Sequence, residues 1–217
     1  MAKAFADDKE VKNVFATTRS NSKELEEVQK KHPERLHILK LDVTSLESVN
    51  SALESVSEKV EFLDLLINNA GIALERDPVT KVNPKHVIET FMTNTVGVLQ
   101  VTNALIPLLK KSPEKAVVVN MSSIGGSISS NKGGLTSYKM SKAALNQLTK
   151  GYSVECGDFG TWIVIHPGWV ATEMGSKLGS APLTPEKSVE KMLKVIQSIT
   201  ENENGKFVDN EGKEIPW

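Results

Sequence analysis

Little in this sequence is in excess, and the shortages narrow what it does. Its single cysteine, Cys156, excludes an internal disulfide framework and fits a reducing compartment. A net charge of −1 supplies no basic field for nucleic acid or an anionic membrane surface. The four histidines (His32, His37, His86 and His166) lack the paired spacing of a ligand set, so no metal is expected. No apolar run is long enough to cross a bilayer, and the opening "MAKAFADDKE" has no signal-peptide core. The expectation is a soluble, cytoplasmic chain with no nucleic-acid or membrane partner.

What is present is ordinary in bulk and specific in arrangement. With 217 residues, 39% hydrophobic and 24% charged, the chain suffices for one globular domain with a buried core, expected over 1–217. Mostly continuous apolar blocks at 13–17, 36–41, 63–68, 116–120 and 161–166 read as strands covered on both faces. Helical patterns fall between them at about 21–31, 45–58, 84–111 and 134–157, with another at 184–200. Asn21, Ser45 and Thr184 suit N-caps, and Pro185 suits the first turn. The tail "GKFVDNEGKEIPW" reads as a short strand, a turn and a closing segment. This alternation predicts an α/β fold: a doubly wound, Rossmann-like parallel sheet with helices on both faces.

Ligands of such sheets bind beyond the carboxyl ends of the strands. Here those ends lead into "TRS", "DVT", "NNAG", "MSS" and "PGWVAT". One or two such turns need no function; five together point to a site. The stretch "SYKMSK" (137–142) adds a helical pair, because residues i and i+4 share a face and bring Tyr138 and Lys142 into one cleft. A free tyrosine has a pKa of about 10, and a neighbouring ammonium is expected to lower it. Such a phenol can give a proton to a carbonyl oxygen or take one from an alcohol.

"NNAG" (68–71), the serine pair 122–123, "YKMSK" (138–142) and "HPGWVAT" (166–172) resemble, in content and order, the short-chain dehydrogenase/reductase family. With the tail, they are similar to its C-factor-like and sniffer-like carbonyl reductase branch. The resemblance implies NADPH-dependent reduction of a small aldehyde or ketone. It makes Tyr138 the proton donor, Lys142 its partner and the holder of the nicotinamide ribose, and Ser123, with Ser122 as its competitor, the group that orients the carbonyl. Asn94 would hold a relay water. Around the cofactor, Asp42 and Val43 would meet the adenine edge, Asn69, Ala70 and Gly71 the ribose, and Pro167, Val170 and Thr172 the nicotinamide. Arg19, in "TTRS", would accommodate the 2′-phosphate of NADP. Trp169 and Trp217 are candidates to line the pocket, residues 173–188 to cover it, and "GGSISSNKGG" (125–134) to shape its mouth. A homodimer through the 84–111 and 134–157 helices is possible.

One part of the family pattern is not found: the glycine-rich turn T-G-x-x-x-G-x-G of the first βα unit. "GSKLGSA" (175–181) follows "PGWVAT" and is a decoy. "MAKAF" reads as the end of a helix, so the sequence is expected to enter the pattern about one βα unit late, roughly 25–30 residues. That leaves an alternative open: a catalytically impaired member acting at most as an interaction protein. Serine hydrolysis rests only on "SSNK" (129–132), which lacks a nucleophile elbow.

Overall fold

The computed structural model describes every residue except Asp77 and Leu178. The chain divides into two compact units, Met1–Glu61 and Phe62–Trp217.

In the first unit, α1 (Ala2–Asp7) precedes β1 (Val14–Thr18), α2 (Lys23–Lys31), β2 (Leu36–Lys40) and α3 (Leu46–Ser57). The strands pair in parallel, from Val14 opposite Leu36 to Thr18 opposite Lys40. Ala6, Ala16 and Leu36 form a small buried cluster with Val14, Leu25 and Val28 packed against it, and Leu41, Val49 and Val56 are also buried. Ser22, not the expected Asn21, caps α2, its hydroxyl accepting from Leu25 N at 3.4 Å. Ser45 caps α3 by accepting from Ser48 N. The α2 cap lets the helix dipole run from Glu24 and Glu26 in its first turn to Lys30 and Lys31 in its last.

The second unit holds β3 (Leu65–Asn68), α4 (Pro84–Phe91), α5 (Gly97–Leu109), β4 (Ala116–Met121), α6 (Thr136–Glu155) and β5 (Gly160–His166). α7 (Glu173–Lys177), α8 (Pro185–Gln197) and β6 (Phe207–Asp209) follow. Its strands form a parallel sheet in the order β3-β4-β5-β6. Parallel sheets flanked by helices are the Rossmann-like α/β architecture the sequence predicts. β4 and β5 are apolar on both faces because both are covered, and Val118, Val119, Ile163, Val164 and Ile165 are fully buried. Trp162 anchors this core, stacked on Tyr152 at 4.6 Å and meeting Phe159 edge-on. Its indole N–H donates to Cys156 O, so the polar end is also satisfied.

The helix expected over 84–111 is interrupted. Between α4 and α5, Met92–Val96 forms a π-turn in which Gly97 N donates to Met92 O. Such a turn inserts one residue into the helical register and redirects side chains. Here the redirected residue is Asn94, whose amide is fully buried. Among the described residues, no helix is long and apolar enough to span a membrane. No group of three potential metal-ligating side chains occurs among them either.

Candidate active site

β3 ends in Asn68 and β4 carries Asn120 one residue before its end, and these two residues open the site. Asn68 Nδ2 donates to Thr102 Oγ1 at 3.0 Å and to Asn120 Oδ1 at 2.8 Å. Asn120 Nδ2 passes the chain on to Thr149 Oγ1 of α6. A buried amide without partners costs on the order of 1–3 kcal/mol, so this ladder fixes how α5, β3, β4 and α6 meet. The sequence reading omitted Asn68 and Asn120 from the site; an asparagine at or next to the end of each of two apolar strands was the available signal.

Beyond the strand ends, Asn94 reaches across to the backbone after "NNAG". Its Oδ1 accepts from Ile72 N at 2.8 Å, while Nδ2 donates to Ile72 O and to Ser141 Oγ. Ser141 Oγ in turn donates to Tyr138 O, and Thr95 Oγ1 donates to Ser141 O. The π-turn is thereby joined to α6 one turn from Tyr138. Ser141, also absent from the sequence reading, is the connecting residue. A Cβ at Gly71 would sit 3.3 Å from Asn94 Oδ1 and 3.6 Å from Lys142 Nζ, so glycine keeps this slot open. Asn69 and Ala70 beside it are exposed.

The two serines after β4 part ways. Ser122 is buried, its hydroxyl donating to Asn146 Oδ1 at 2.7 Å. Ser123 is half-buried, and its Oγ accepts from Gly125 N at 3.1 Å. The Ser123 hydroxyl is also hydrogen-bonded to the Tyr138 phenol. Extended strand geometry turns consecutive side chains to opposite sides, which is why only one serine meets the tyrosine.

Lys142 is buried, its Nζ 5.8 Å from the Tyr138 ring centroid and donating to Met121 O at 2.6 Å. The sequence reading expected this ammonium to lower the tyrosine's pKa. The direction found is upward: burial raises Tyr138, and the Ser123 hydrogen bond offsets part of the rise. Burial likewise lowers Lys142, to about 8. The helix brings the pair together as the i,i+4 spacing requires, but desolvation is the largest influence on each group. A phenol kept protonated at neutral pH is the form a proton donor needs.

The helix carrying both residues begins on an unusual turn. Gly133, Gly134 and Leu135 have φ of 77°, 66° and 52°, three consecutive left-handed residues, and Leu135 is the N-cap of α6. For leucine this conformation costs about 1–2 kcal/mol.

After β5, "PGWVAT" is held from below. Pro167 O accepts from Ser188 Oγ at 2.7 Å and from Asn210 Nδ2 at 3.2 Å. Val170 forms a parallel bridge with Leu183, and Thr172 Oγ1 accepts from Gly175 N. The predicted cover over 173–188 therefore folds back on this loop; Leu178, within both the cover and the decoy "GSKLGSA", lies outside the described residues. Trp169 and Trp217 are both partly exposed; the first donates to Gly175 O and the second leans on Phe207 at 5.6 Å. Ser129 of "SSNK" donates to Trp217 O.

In the first unit, Asp42 Oδ1 accepts from Thr44 N and Thr44 Oγ1, building the turn into α3 beside half-buried Val43. Those two hydrogen bonds, with Arg19 as a smaller influence, hold the Asp42 carboxyl below its usual range. Arg19 is exposed and, with Ser20, Asn21, Ser22, Glu26 and Lys40, lines a cavity of about 500 Å³ at the end of β1.

The family model for short chain dehydrogenases matches residues 1–182. The fold matches the carbonyl reductase Sniffer of D. melanogaster with a TM-score of 0.93 and 35% identity, covering 100% of this chain and 93% of that one. An NADPH-bound carbonyl reductase from chicken fatty liver matches with a TM-score of 0.88 and 38% identity, over 95% of this chain and 88% of that one. An uncharacterized oxidoreductase of Schizosaccharomyces pombe is 34% identical over 94% of this chain and 87% of its own length. The C-signal protein of Myxococcus xanthus is 36% identical over 71% of this chain and 93% of its own length. This chain belongs to the short-chain dehydrogenase/reductase family of oxidoreductases.

Proposed function

We propose that the protein reduces an aldehyde or ketone to an alcohol with NADPH, Tyr138 being the proton donor. The observation that carries this reading is the Ser123–Tyr138–Lys142 grouping beyond β4, in which the phenol is protonated, hydrogen-bonded to a serine and flanked by a buried amine. The solved structures it resembles include an NADPH-bound carbonyl reductase, which supports the same substrate and cofactor class.

Each unit by itself offers features that fit the dinucleotide. The cavity beside Arg19 sets two cations, Arg19 and Lys40, against one carboxylate, Glu26, a balance that favours a phosphate over a bare ribose hydroxyl. Asp42 and Val43 follow β2 in the same unit and would meet the adenine edge. In the second unit, the absent side chain at Gly71 leaves the backbone there close to Lys142 Nζ, which would meet a ribose hydroxyl, with Asn69 and Ala70 exposed alongside. Pro167, Val170 and Thr172 form the loop that would hold the nicotinamide. When bound, NADPH supplies the hydride.

The rest is the chain's own work. Ser123 donates a hydrogen bond to the substrate carbonyl oxygen, and Tyr138 gives that oxygen its phenolic proton, so that hydride and proton together complete the alcohol. The charge on Lys142 favours the phenolate left behind. Asn94 keeps the Ile72 backbone and Ser141 in register around them, and its side chain is committed to that task rather than to the expected relay water.

Titration calorimetry with NADPH and NADH tests the cofactor, and a panel of aromatic aldehydes, α-diketones and quinones tests the reaction. Saturable binding that prefers NADPH, with turnover lost in Tyr138→Phe, is the expected result. A folded chain that binds neither nucleotide would instead favour the non-catalytic reading. The exposed apolar side chains Ile88, Phe91, Met92, Leu99, Met140 and Val154 on α4–α6 support a homodimer, which sedimentation at micromolar concentration checks.

A further inference from the structure

Tyr138 and Ser123 must hold a fixed separation, yet fourteen residues, most of them loop and turn, lie between them in the chain. That loop includes the left-handed run 133–135 from which α6 departs. Something has to fasten it. The residue after the tyrosine, Lys139, touches the loop at both ends. Its Nζ donates to Asn131 Oδ1 at 3.0 Å and to Gly133 O. Asn131 Oδ1 also accepts from Gly133 N at 2.9 Å, so one amide oxygen and one ammonium close the turn. Meanwhile the stem of Lys139 lies along Gly125: a Cβ there would be 3.1 Å from Lys139 Cγ and 3.4 Å from Ser123 Oγ. Gly125 is the residue whose N–H holds Ser123 Oγ. One side chain therefore lies against the backbone that positions the serine and grips the turn that positions the tyrosine.

We propose that Lys139 is a positioning residue that braces Ser123 and Tyr138 at their working separation by tying the left-handed turn 133–135 to the first turn of α6. The inference rests on the reading of Tyr138 as proton donor. Without the ammonium, Gly133 O loses its partner and the leucine in the left-handed region has a route to relax toward ordinary backbone. The turn loosens, and the phenol samples positions displaced from the serine. A displacement of about 1 Å at reacting groups can cost up to two orders of magnitude in rate.

The test is a set of variants assayed with NADPH and para-nitrobenzaldehyde, or the panel member turned over fastest. Lys139→Met, which keeps the stem and removes the charge, is expected to lower kcat about tenfold while leaving NADPH affinity within about twofold. Lys139→Arg, whose fork can reach both acceptors, should restore most of the rate. In a Tyr138→Phe background, Lys139→Met should cost nothing further in kcat, because the group it positions is gone. Should Lys139→Met fold poorly, Asn131→Ala removes the shared acceptor at an exposed loop position and is expected to show the same kcat loss. Wild-type kcat in Lys139→Met or Asn131→Ala, a loss confined to nucleotide affinity, or a loss that adds fully to Tyr138→Phe would each overturn the inference alone. A wild-type chain that binds NADPH but turns over no carbonyl in the panel would overturn the reading of Tyr138 and this inference together.

Discussion

Of the five residues of β2 in the first unit, only Leu36 is buried, whereas β5 in the second buries six of seven. The first unit buries only small and medium-sized side chains, Ala6, Ala16, Leu36, Leu41, Val49 and Val56; the second buries Trp162, Phe207 and a run of β-branched residues. The polar groups follow the same division. Arg19 and its neighbours surround an open cavity on the surface, while Lys142, Asn94, Asn68 and Asn120 are buried and hydrogen-bonded. Groups that take part in chemistry need fixed positions in a desolvated place, and a large packed core provides them. The proposed selection of a phosphate by Arg19 needs only a charge within reach, which a lightly packed unit can carry.

This contrast is open to experiment, and the largest effect is expected where the chemistry sits. Tyr138→Phe should lower kcat by roughly a thousandfold with little change in NADPH affinity, as single-turnover kinetics and calorimetry can show together. A comparable loss of affinity would mean that the second unit is not the catalytic one in the sense argued. Next comes the core itself. Trp162→Ala should destabilise the protein by about 3–4 kcal/mol in denaturant unfolding, because it empties the stack on Tyr152. The corresponding Leu36→Ala in the first unit should cost nearer 2 kcal/mol, and native-state hydrogen exchange should find β1 and β2 opening more easily than β4 and β5. Equal protection in both sheets would erase the contrast.

Smaller effects sharpen it. Arg19→Ala should narrow the preference for NADPH over NADH by roughly tenfold, with kcat unchanged, if the first unit selects and does not catalyse. The pH profile gives the smallest change. Burial lowers Lys142 to about 8, so the amine is charged below that value and neutral above it. In the proposed mechanism its charge assists proton loss from Tyr138; kcat/KM for reduction should therefore decline as pH rises through about 8, to about one quarter of its low-pH value half a pH unit above it. A flat profile across that range would remove the Lys142 charge from the mechanism.

Much of the fold was legible because parallel strands buried on both faces leave continuous apolar blocks. The expected strands at 36–41 and 161–166 match β2 and β5 to within one residue at each end. Ser45 and Thr184 were legible as caps for a local reason: each needs only its own hydroxyl and a backbone N–H three residues on. Asn21 lost that role to Ser22 because cap choice depends on where the chain turns out of β1. The π-turn was not legible at all. "MTNTV" is compatible with ordinary helix, and only the pull of Ile72 and Ser141 on Asn94 changes its register.

The sequence by itself determined the alternation of strand and helix, the placement of polar residues at strand ends, and the shared face of Tyr138 and Lys142. Each of these follows from short-range periodicity. The tertiary structure alone decided that Ser123 meets the phenol while Ser122 turns to Asn146. It also decided that Tyr138 titrates above its ordinary value, and that Lys139 grips the loop from the far side of Gly125. Those outcomes depend on desolvation and on contacts between residues distant in the chain, which no local pattern encodes.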